Sequence, residues 1–343
     1  MISTDNINIV SIKPIPSPLE IKNKYPLSDN IYRSIKEHRL VIRDIINKKD
    51  PRLLVITGPC SIHDEDGVRD YSNRLVRIRN SYPNLFIVMR VYFEKPRTIT
   101  GWKGLIMDPD LDDTCDITKG IYLARKIMVD LVNKHIPIAC EFLDSISAQY
   151  ISDLVSYGAI GARTTQSQIH RLMSSGLSAP IGFKNTTDGN IIIALNSILA
   201  SKESHTFLGV NNEGIASIVK TKGNTNCHLI LRGGKTPNYS KESIQYATKE
   251  SIERHINCGI VVDCSHANSN KDFRNQKKVI HNICHQLSDS VCNIVGVMIE
   301  SNIYEGNQPL VSKEDLQYGI SITDACISFN ETIQLLGALN KVK

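Results

Sequence analysis

Eight short runs of apolar, largely β-branched residues recur from Pro51 onward, and no other feature restricts the chain so tightly. They are Leu53 to Thr57, Phe86 to Val91, Ile136 to Phe142, Ala159 to Ala162, Pro180 to Phe183, His228 to Leu231, Gly259 to Val262, and Ile294 to Ile299. Runs this short, without polar alternation, read as strands buried on both faces, the condition of a parallel sheet. Between most of them the period lengthens. Val68, Tyr71, Leu75 and Ile78 form one helical stripe, Ala124, Ile127, Met128, Leu131 and Val132 a second, and Ile244, Ala247 and Ile252 a third. Gly158 and Gly259 stand where C-terminal helix caps are expected. Eight alternations fit a closed (β/α)8 TIM barrel better than an open sheet.

The barrel is expected over residues 51 to 343. Residues 1 to 50 read as an N-terminal extension serving assembly or regulation, with a Pro-punctuated start to Pro26 and a helical stretch from about Ser28 to Lys48 that carries Ile31, Ile35, Val41, Ile42 and Ile45. One interruption precedes the sixth barrel strand: Thr206 to Val210 and Ile215 to Val219, joined by Asn211-Asn212-Glu213-Gly214, predict an inserted hairpin over about residues 205 to 221.

Composition removes several function classes. A net charge of +5 on 40 basic and 35 acidic residues, with no basic block and no basic-aromatic interleaving, argues against a nucleic-acid partner. The start, MISTDNINIVSIKPIPSP, lacks a basic region followed by an apolar core, and no run approaches ~18 apolar residues, so a cytoplasmic protein without membrane contact is expected. The nine cysteines are odd in number and form no C-x-x-C pair, unlike a disulfide framework or a zinc ribbon. Most read as small reduced core residues, with Cys60 the exception.

The strand exits carry the chemistry. They read GPCS (58 to 61), RVYFEKPRT (90 to 98), EFLD (141 to 144), GART (161 to 164), GFKN (182 to 185), LRGG (231 to 234), DCSH (263 to 266) and MIES (298 to 301). In an αβ barrel these exits converge on one mouth, so Cys60, Arg90, Lys95, Arg97, Glu141, Arg163, Lys184, Arg232, His266 and Glu300 are expected to face one cavity. Six of them are cations that would repel one another without bound anions. Arginine forks match phosphate and carboxylate oxygens in pairs, whereas lysine supplies a mobile point charge. The competing reading is a set of solvated, salt-bridged loops, with Glu94 pairing to a neighbour. A second subset, Cys60, His266, Glu300 and Asp324 at the start of the last helix, offers one thiolate, one imidazole and two carboxylates. That mixture suits a divalent transition metal such as Mn, Fe, Co, Zn or Cu. A core histidine, a buried thiol and two capping carboxylates would be spelled the same way.

Ordered blocks along the chain carry a resemblance. GPCSIHD (58 to 64), MRVYFEKPRT (89 to 98), GWKGL (101 to 105), GARTT (161 to 165), GFKN (182 to 185), LRGGK and PNY (231 to 239), DCSHANSNKD (263 to 272), GVMIESNIYEGNQ (296 to 308) and SITDACIS (321 to 328) are similar to the bacterial 3-deoxy-D-arabino-heptulosonate 7-phosphate synthases of the short, feedback-regulated type. The match runs over nearly the whole chain from about Pro51. It implies condensation of phosphoenolpyruvate with D-erythrose 4-phosphate and water, the first step of the shikimate pathway, on a barrel with an N-terminal extension and an extra hairpin. By position, it implies metal ligation by Cys60, His266, Glu300 and Asp324. It implies a phosphoenolpyruvate site of Arg90, Arg163, Lys184 and Arg232 with the backbone of Gly161 and Ala162, and erythrose 4-phosphate contacts from Lys95, Pro96, Arg97 and Thr98. Lys95 is then the expected proton donor to the developing alkoxide, and Glu141 a group that orients water or Lys95.

The resemblance also implies inhibition by an aromatic amino acid at a site built partly from the extension and the hairpin. Gln149, Ser178 and Phe207 fall at matching positions, and the run Phe207-Leu208-Gly209-Val210 leans toward the tyrosine-responsive type. An assembly of two or four copies is expected. Three departures from the family's pattern stand out: Ile99 and Thr100 in KPRTITGWKG, Thr186 where glycine is usual, and Gln166 for glutamate. Thr186 draws most interest, because a glycine there permits a left-handed backbone that a β-branched residue resists. Two other functions share these letters: a related synthase that uses a pentose phosphate, and a catalytically retired sensor of aromatic amino acids.

Overall fold

The computed structural model describes residues 4–97, 99, 101–289 and 292–343. Two helices lead in. Helix α1 (Pro18–Lys24) starts on a capping box between Ser17 and Glu20, and α2 (Asp29–Ile46) starts on Ser28. Strands and helices then alternate: β1 (Leu53–Gly58), α3 (Glu65–Ile78), β2 (Leu85–Arg90), α4 (Ile117–Asn133), β3 (Ile138–Glu141), α5 (Ser147–Ile151), β4 (Tyr157–Ile160), α6 (Gln168–Gly176), β5 (Ile181–Lys184) and α7 (Ile191–Lys202). The antiparallel hairpin β6 (Thr206–Val210) and β7 (Ala216–Lys220) follows, at the place expected for it. After it come β8 (Cys227–Leu231), α8 (Lys241–Glu253), β9 (Ile260–Asp263), α9 (Gln276–Leu287), β10 (Ile294–Asn302), the short β11 (Ile327–Ser328) and α10 (Phe329–Val342).

Strands β1, β2, β3, β4, β5, β8, β9 and β10 pair in that order, all parallel, and β10 pairs back onto β1. The barrel is therefore closed, and each of the eight apolar runs is one of its staves. Successive strand side chains point to opposite faces. Leu53, Val55, Ile87, Met89, Ile138, Leu229, Val262, Val297 and Ile299 belong to the cluster that meets the surrounding helices. Their alternates Leu54, Ile56, Val88, Tyr92, Ala139, Tyr157, Ala159, Ile230, Val261 and Met298 form a second cluster inside the barrel.

The last turns of α2 complete that inner cluster. Ile42, Ile45 and Ile46 pack into it, and the Ile46 carbonyl accepts from the Gly259 amide at 2.8 Å. The N-terminal end of the barrel is thus stopped by apolar side chains. Ile42 is fully buried there, so Ile42→Ala is expected to lower stability by about 2–5 kcal/mol, read as a drop in urea midpoint at constant m-value.

Three expectations are corrected. Gly158 caps no helix but lies inside β4, where a Cβ would stand 2.4 Å from Ile181 Cδ1 and 2.8 Å from Phe142 Cε2. Gly259 precedes β9, where a Cβ would meet Val295 Cγ1 at 2.1 Å. The left-handed positions just past α2, α4 and α8 are held instead by Lys48 (φ 59°), His135 (φ 54°) and His255 (φ 57°). Ile252 is 56% exposed, and the buried position on that turn of α8 is Ser251, whose hydroxyl donates to the Ala247 carbonyl at 2.7 Å. All nine cysteines are free, Cys60 among the buried ones and Cys115 exposed. Among the described residues, no helix is long and apolar enough to cross a membrane.

Candidate active site

The inward parity of each strand decides what its exit presents. Two residues beyond inward Val88, Ala139, Ala159, Gly182, Ile230, Val261 and Met298 stand Arg90, Glu141, Gly161, Lys184, Arg232, Asp263 and Glu300. Gly161 aside, the topmost inward row is thus polar where the rows beneath are apolar. Register adds the next neighbour: Gly58 of β1 lies opposite Glu300 of β10, so the exit of β1 carries Cys60 to the carboxylate.

A cavity of about 360 Å³ opens on this row. Its walls include Arg90, Lys95, Pro96, Arg97, Glu141, Gly161, Ala162, Arg163, Lys184, Arg232, His266, Glu300 and Asp324. Cys60 is buried at its margin, within reach of Lys95. Thr98 falls outside the described residues. Thr187, Ser265, Ser269, Lys271, Phe273 and Asn307 also line the cavity and carry no individual signal in the sequence, although Ser265, Ser269 and Lys271 lie within DCSHANSNKD.

On one side of the mouth, Cys60 Sγ and carboxylate oxygens of Glu300 and Asp324 lie within 4.8 Å of one another. His266 Nε2 is 3.9 Å from Glu300 Oε1, and Lys95 Nζ lies 3.0 Å from Cys60 Sγ. Asp324 does not begin the last helix. It is an exposed residue in an otherwise largely buried segment before β11, while Ser328 caps α10. Burial, with the Glu300 charge adding to it, pushes the Cys60 thiol up to about 11; Lys95 opposes the rise. Partial desolvation by the surrounding mouth works against the charge of Asp324, yet Lys95 and His266 hold it below the usual carboxylate range. The close group is one sulfur and two carboxylates, with the His266 imidazole beside Glu300 and outside it; the set fits a divalent transition ion, whose own charge would reverse the penalty on the thiolate.

Cations dominate the other side. Arg90 is 1% exposed, donates to Glu300 Oε1 at 2.8 Å and to the Pro59 carbonyl at 3.1 Å, and stacks 3.7 Å above the Tyr92 ring. Lys184, also buried, donates to Asp263 Oδ2 at 2.8 Å. Arg232 is half-buried, and burial lowers its value from the ordinary one; Arg163 lies exposed at the rim. Gly161 has a steric reason, since a Cβ there would stand 2.1 Å from Glu141 Oε1.

Lys95, Pro96 and Arg97 ride on a folded loop. Glu94 bridges Gly104, the Lys95 amide donates to the Lys103 carbonyl at 2.9 Å, and Arg97 Nε donates to the Trp102 carbonyl at 2.7 Å. Gly104 has φ 109° and no room for a Cβ, which would lie 2.0 Å from the Phe93 carbonyl oxygen. Glu94 pairs with neither cationic neighbour. It is buried, accepts from Ser147 Oγ at 2.9 Å, and is pushed up by burial to about 7.

The departures from the family pattern introduce no backbone strain where described. Thr186 has no left-handed backbone; Gly189 supplies that conformation (φ 100°), and Thr186 Oγ1 accepts from the Asn190 amide at 3.1 Å while donating to Asp188. Ile99 is 85% exposed and Gln166 is exposed; Thr100 lies outside the described residues. Gln149 is half-buried on α5, Phe207 half-buried on β6, and Ser178 exposed between α6 and β5.

A closed αβ barrel whose C-terminal mouth gathers cations beside a thiol, an imidazole and two acids is an enzyme scaffold for polyanionic substrates. Comparison with known proteins makes the class specific. Residues 21–336 match the DAHP synthetase I family. The Tyr-sensitive phospho-2-dehydro-3-deoxyheptonate aldolase of Salmonella typhimurium is 46% identical over 339 residues, 98% of this chain and 95% of that one. The Phe-sensitive enzyme of Escherichia coli is 47% identical over 341 residues, 99% and 97% of the two chains. Among solved structures, the phospho-2-dehydro-3-deoxyheptonate aldolase of Francisella tularensis superposes with a TM-score of 0.95 at 43% identity, covering 98% of each chain. The chain belongs to the DAHP synthetase I family.

Proposed function

We propose that this protein condenses phosphoenolpyruvate with D-erythrose 4-phosphate and water to give 3-deoxy-D-arabino-heptulosonate 7-phosphate and inorganic phosphate, opening aromatic amino-acid biosynthesis. The observation that carries this reading is the polar inward row, with cations from β2, β5 and β8 meeting the Cys60, Glu300 and Asp324 cluster at one mouth. Arg90, Arg163, Lys184 and Arg232, with the backbone of Gly161 and Ala162, hold the phosphate and carboxylate of phosphoenolpyruvate. Lys95, Pro96, Arg97 and Thr98 receive the aldose phosphate. Cys60, His266, Glu300 and Asp324 would hold one divalent ion, drawn from Mn, Fe, Co, Zn and Cu, that supplies Lewis acidity at the aldehyde oxygen.

The protein's own groups then account for the remaining chemistry. C3 of phosphoenolpyruvate attacks the aldehyde carbon, and Lys95 donates a proton to the oxygen as it gains charge. Glu141 orients the water that adds at C2. The tetrahedral adduct loses phosphate by C–O cleavage, with the arginine and lysine cluster holding the leaving charge.

Residues 1–50 and the hairpin serve regulation and assembly into two or four copies. The Leu19 amide donates to the Asn212 carbonyl at 2.8 Å, and Tyr150, beside Gln149, donates through its hydroxyl to the Pro16 carbonyl at 2.8 Å. Ile7, Val10 and Ile12 on the N-terminal arm and Leu208 and Ile218 on the hairpin are exposed apolar side chains that a second copy would cover. Relatives sensitive to Tyr and to Phe are about equally similar at 46% and 47%, so the effector, tyrosine in this proposal, rests on the Phe207 run.

The test is phosphate release with both substrates. Turnover is expected to disappear with a chelator, to return with Mn²⁺, to fall most with tyrosine among the aromatic amino acids, and to be absent with arabinose 5-phosphate as acceptor. Full activity after exhaustive chelation would remove the metal from the mechanism.

A further inference from the structure

Asp263 occupies the same inward row as Arg90, Lys184 and Glu300 and touches both the cationic wall, at Lys184, and the proposed metal ligands, at His266. It is fully buried, and both of its carboxylate oxygens are engaged. Oδ2 accepts from Lys184 Nζ at 2.8 Å and lies 2.9 Å from His266 Nδ1. Oδ1 accepts from the Ser265 amide at 3.1 Å and from the Ser265 hydroxyl at 2.7 Å. The Ser265 oxygen also stands 2.7 Å from His266 Nδ1. A carboxylate can only accept, so the Oδ2 contact calls for a proton on Nδ1, and the Ser265 hydroxyl, donating its own proton to Asp263 Oδ1, accepts there as well. Both neighbours of Nδ1 are therefore acceptors.

We infer that Asp263 is a positioning residue that fixes His266 with its proton on Nδ1 and its Nε2 lone pair facing the Cys60, Glu300 and Asp324 cluster. Nε2 lies 3.9 Å from Glu300 Oε1, on the cluster side of the ring. A carboxylate that orients a ligating histidine through its other nitrogen is a recurrent device of metal sites, and its loss typically costs about 10–100-fold in metal affinity. Lys184 gives the arrangement its anchor: a cation on the substrate side holds the carboxylate that orients the imidazole on the metal side. His266 has φ 56°, and the Lys271 amide donates to its carbonyl at 2.8 Å, so the backbone beneath the ring is also held.

An amide cannot replace this carboxylate. In the Asp263→Asn variant, an NH₂ at the Oδ2 position would put a donor against Lys184 Nζ and drive the imidazole into the other tautomer, with a proton on Nε2 facing the cluster. An NH₂ at the Oδ1 position would instead oppose the Ser265 amide.

The inference rests on the metal reading above, and two measurements separate their failures. First, Mn²⁺ affinity is measured by equilibrium dialysis on chelator-treated full-length protein without substrates. Wild type is expected to bind, and Asp263→Asn to bind about 10–100-fold more weakly with an unchanged far-UV spectrum. Wild type that does not bind overturns the metal reading. Wild type that binds, with a folded D263N of equal affinity, overturns the role of Asp263. Second, ¹⁵N chemical shifts of histidine in metal-free wild type report the His266 tautomer even should the variant fail to fold. A proton on Nδ1 alone is expected, and a proton on Nε2 alone overturns the inference.

Discussion

Lys95→Met is expected to lower kcat for phosphate release by about 10²–10⁴-fold, the range for loss of a positioned proton donor. The change preserves the stem and removes the ammonium. Lys95 Nζ stands 3.0 Å from Cys60 Sγ and 3.4 Å from the Cys60 carbonyl oxygen, at the seam between the cation-lined wall and the thiol–carboxylate cluster. Burial works against its charge, but Cys60 and Glu300 outweigh that and leave its value above that of an ordinary lysine, so it remains an ammonium at neutral pH. Phosphoenolpyruvate is held mainly by Arg90, Arg163, Lys184 and Arg232 in the proposed arrangement. Its affinity, measured by calorimetry without the aldose, should therefore shift far less than the rate. A Lys95→Met enzyme that keeps more than a tenth of wild-type kcat would rule the residue out as the donor.

Glu300→Ala is expected to damage both stability and activity. Arg90 and Glu300 are each 1% exposed and share a 2.8 Å contact. Removing the carboxylate leaves a guanidinium buried against Tyr92 and Met298 without its counter-charge, a loss of about 3–5 kcal/mol when one member of a buried pair is deleted. The same substitution takes a carboxylate from the proposed ion site. Urea unfolding of chelator-treated protein isolates the first effect, because no metal then contributes to wild-type stability. A midpoint equal to that of wild type under those conditions would show that Arg90 finds another partner.

Much of this arrangement is legible in the chain because the barrel turns short-range patterns into position. The eight apolar runs are the eight staves, and each exit reaches the mouth, since a parallel barrel allows an exit no other end. The hairpin is legible from its turn residues. What sequence cannot supply depends on contacts between distant segments. Gly158 and Gly259 suggest helix ends by spacing, but they are glycines because Ile181 and Val295 occupy the space of a side chain. Ile252 matches a helical stripe and faces outward, as spacing alone does not distinguish it from Ser251. Asp263 is overshadowed in the sequence by the more suggestive His266 three residues on. Counting alternate residues along β9 from inward Val261 picks it out, but only once the inner face is known.

The inward row has a consequence for how this barrel tolerates change. Each chemical group stands one alternation beyond an apolar residue on the same face, so the strands carry a reading frame as strict as that of a coding sequence. A single-residue deletion in β10 ahead of Glu300 would rotate Glu300 outward beneath the helices and put Ser301 at the cavity in its place. Loops at the opposite end carry no such frame. Length variation among natural variants should therefore gather at the floor and the helical periphery, while the distance from each stave's apolar layer to its functional side chain stays fixed.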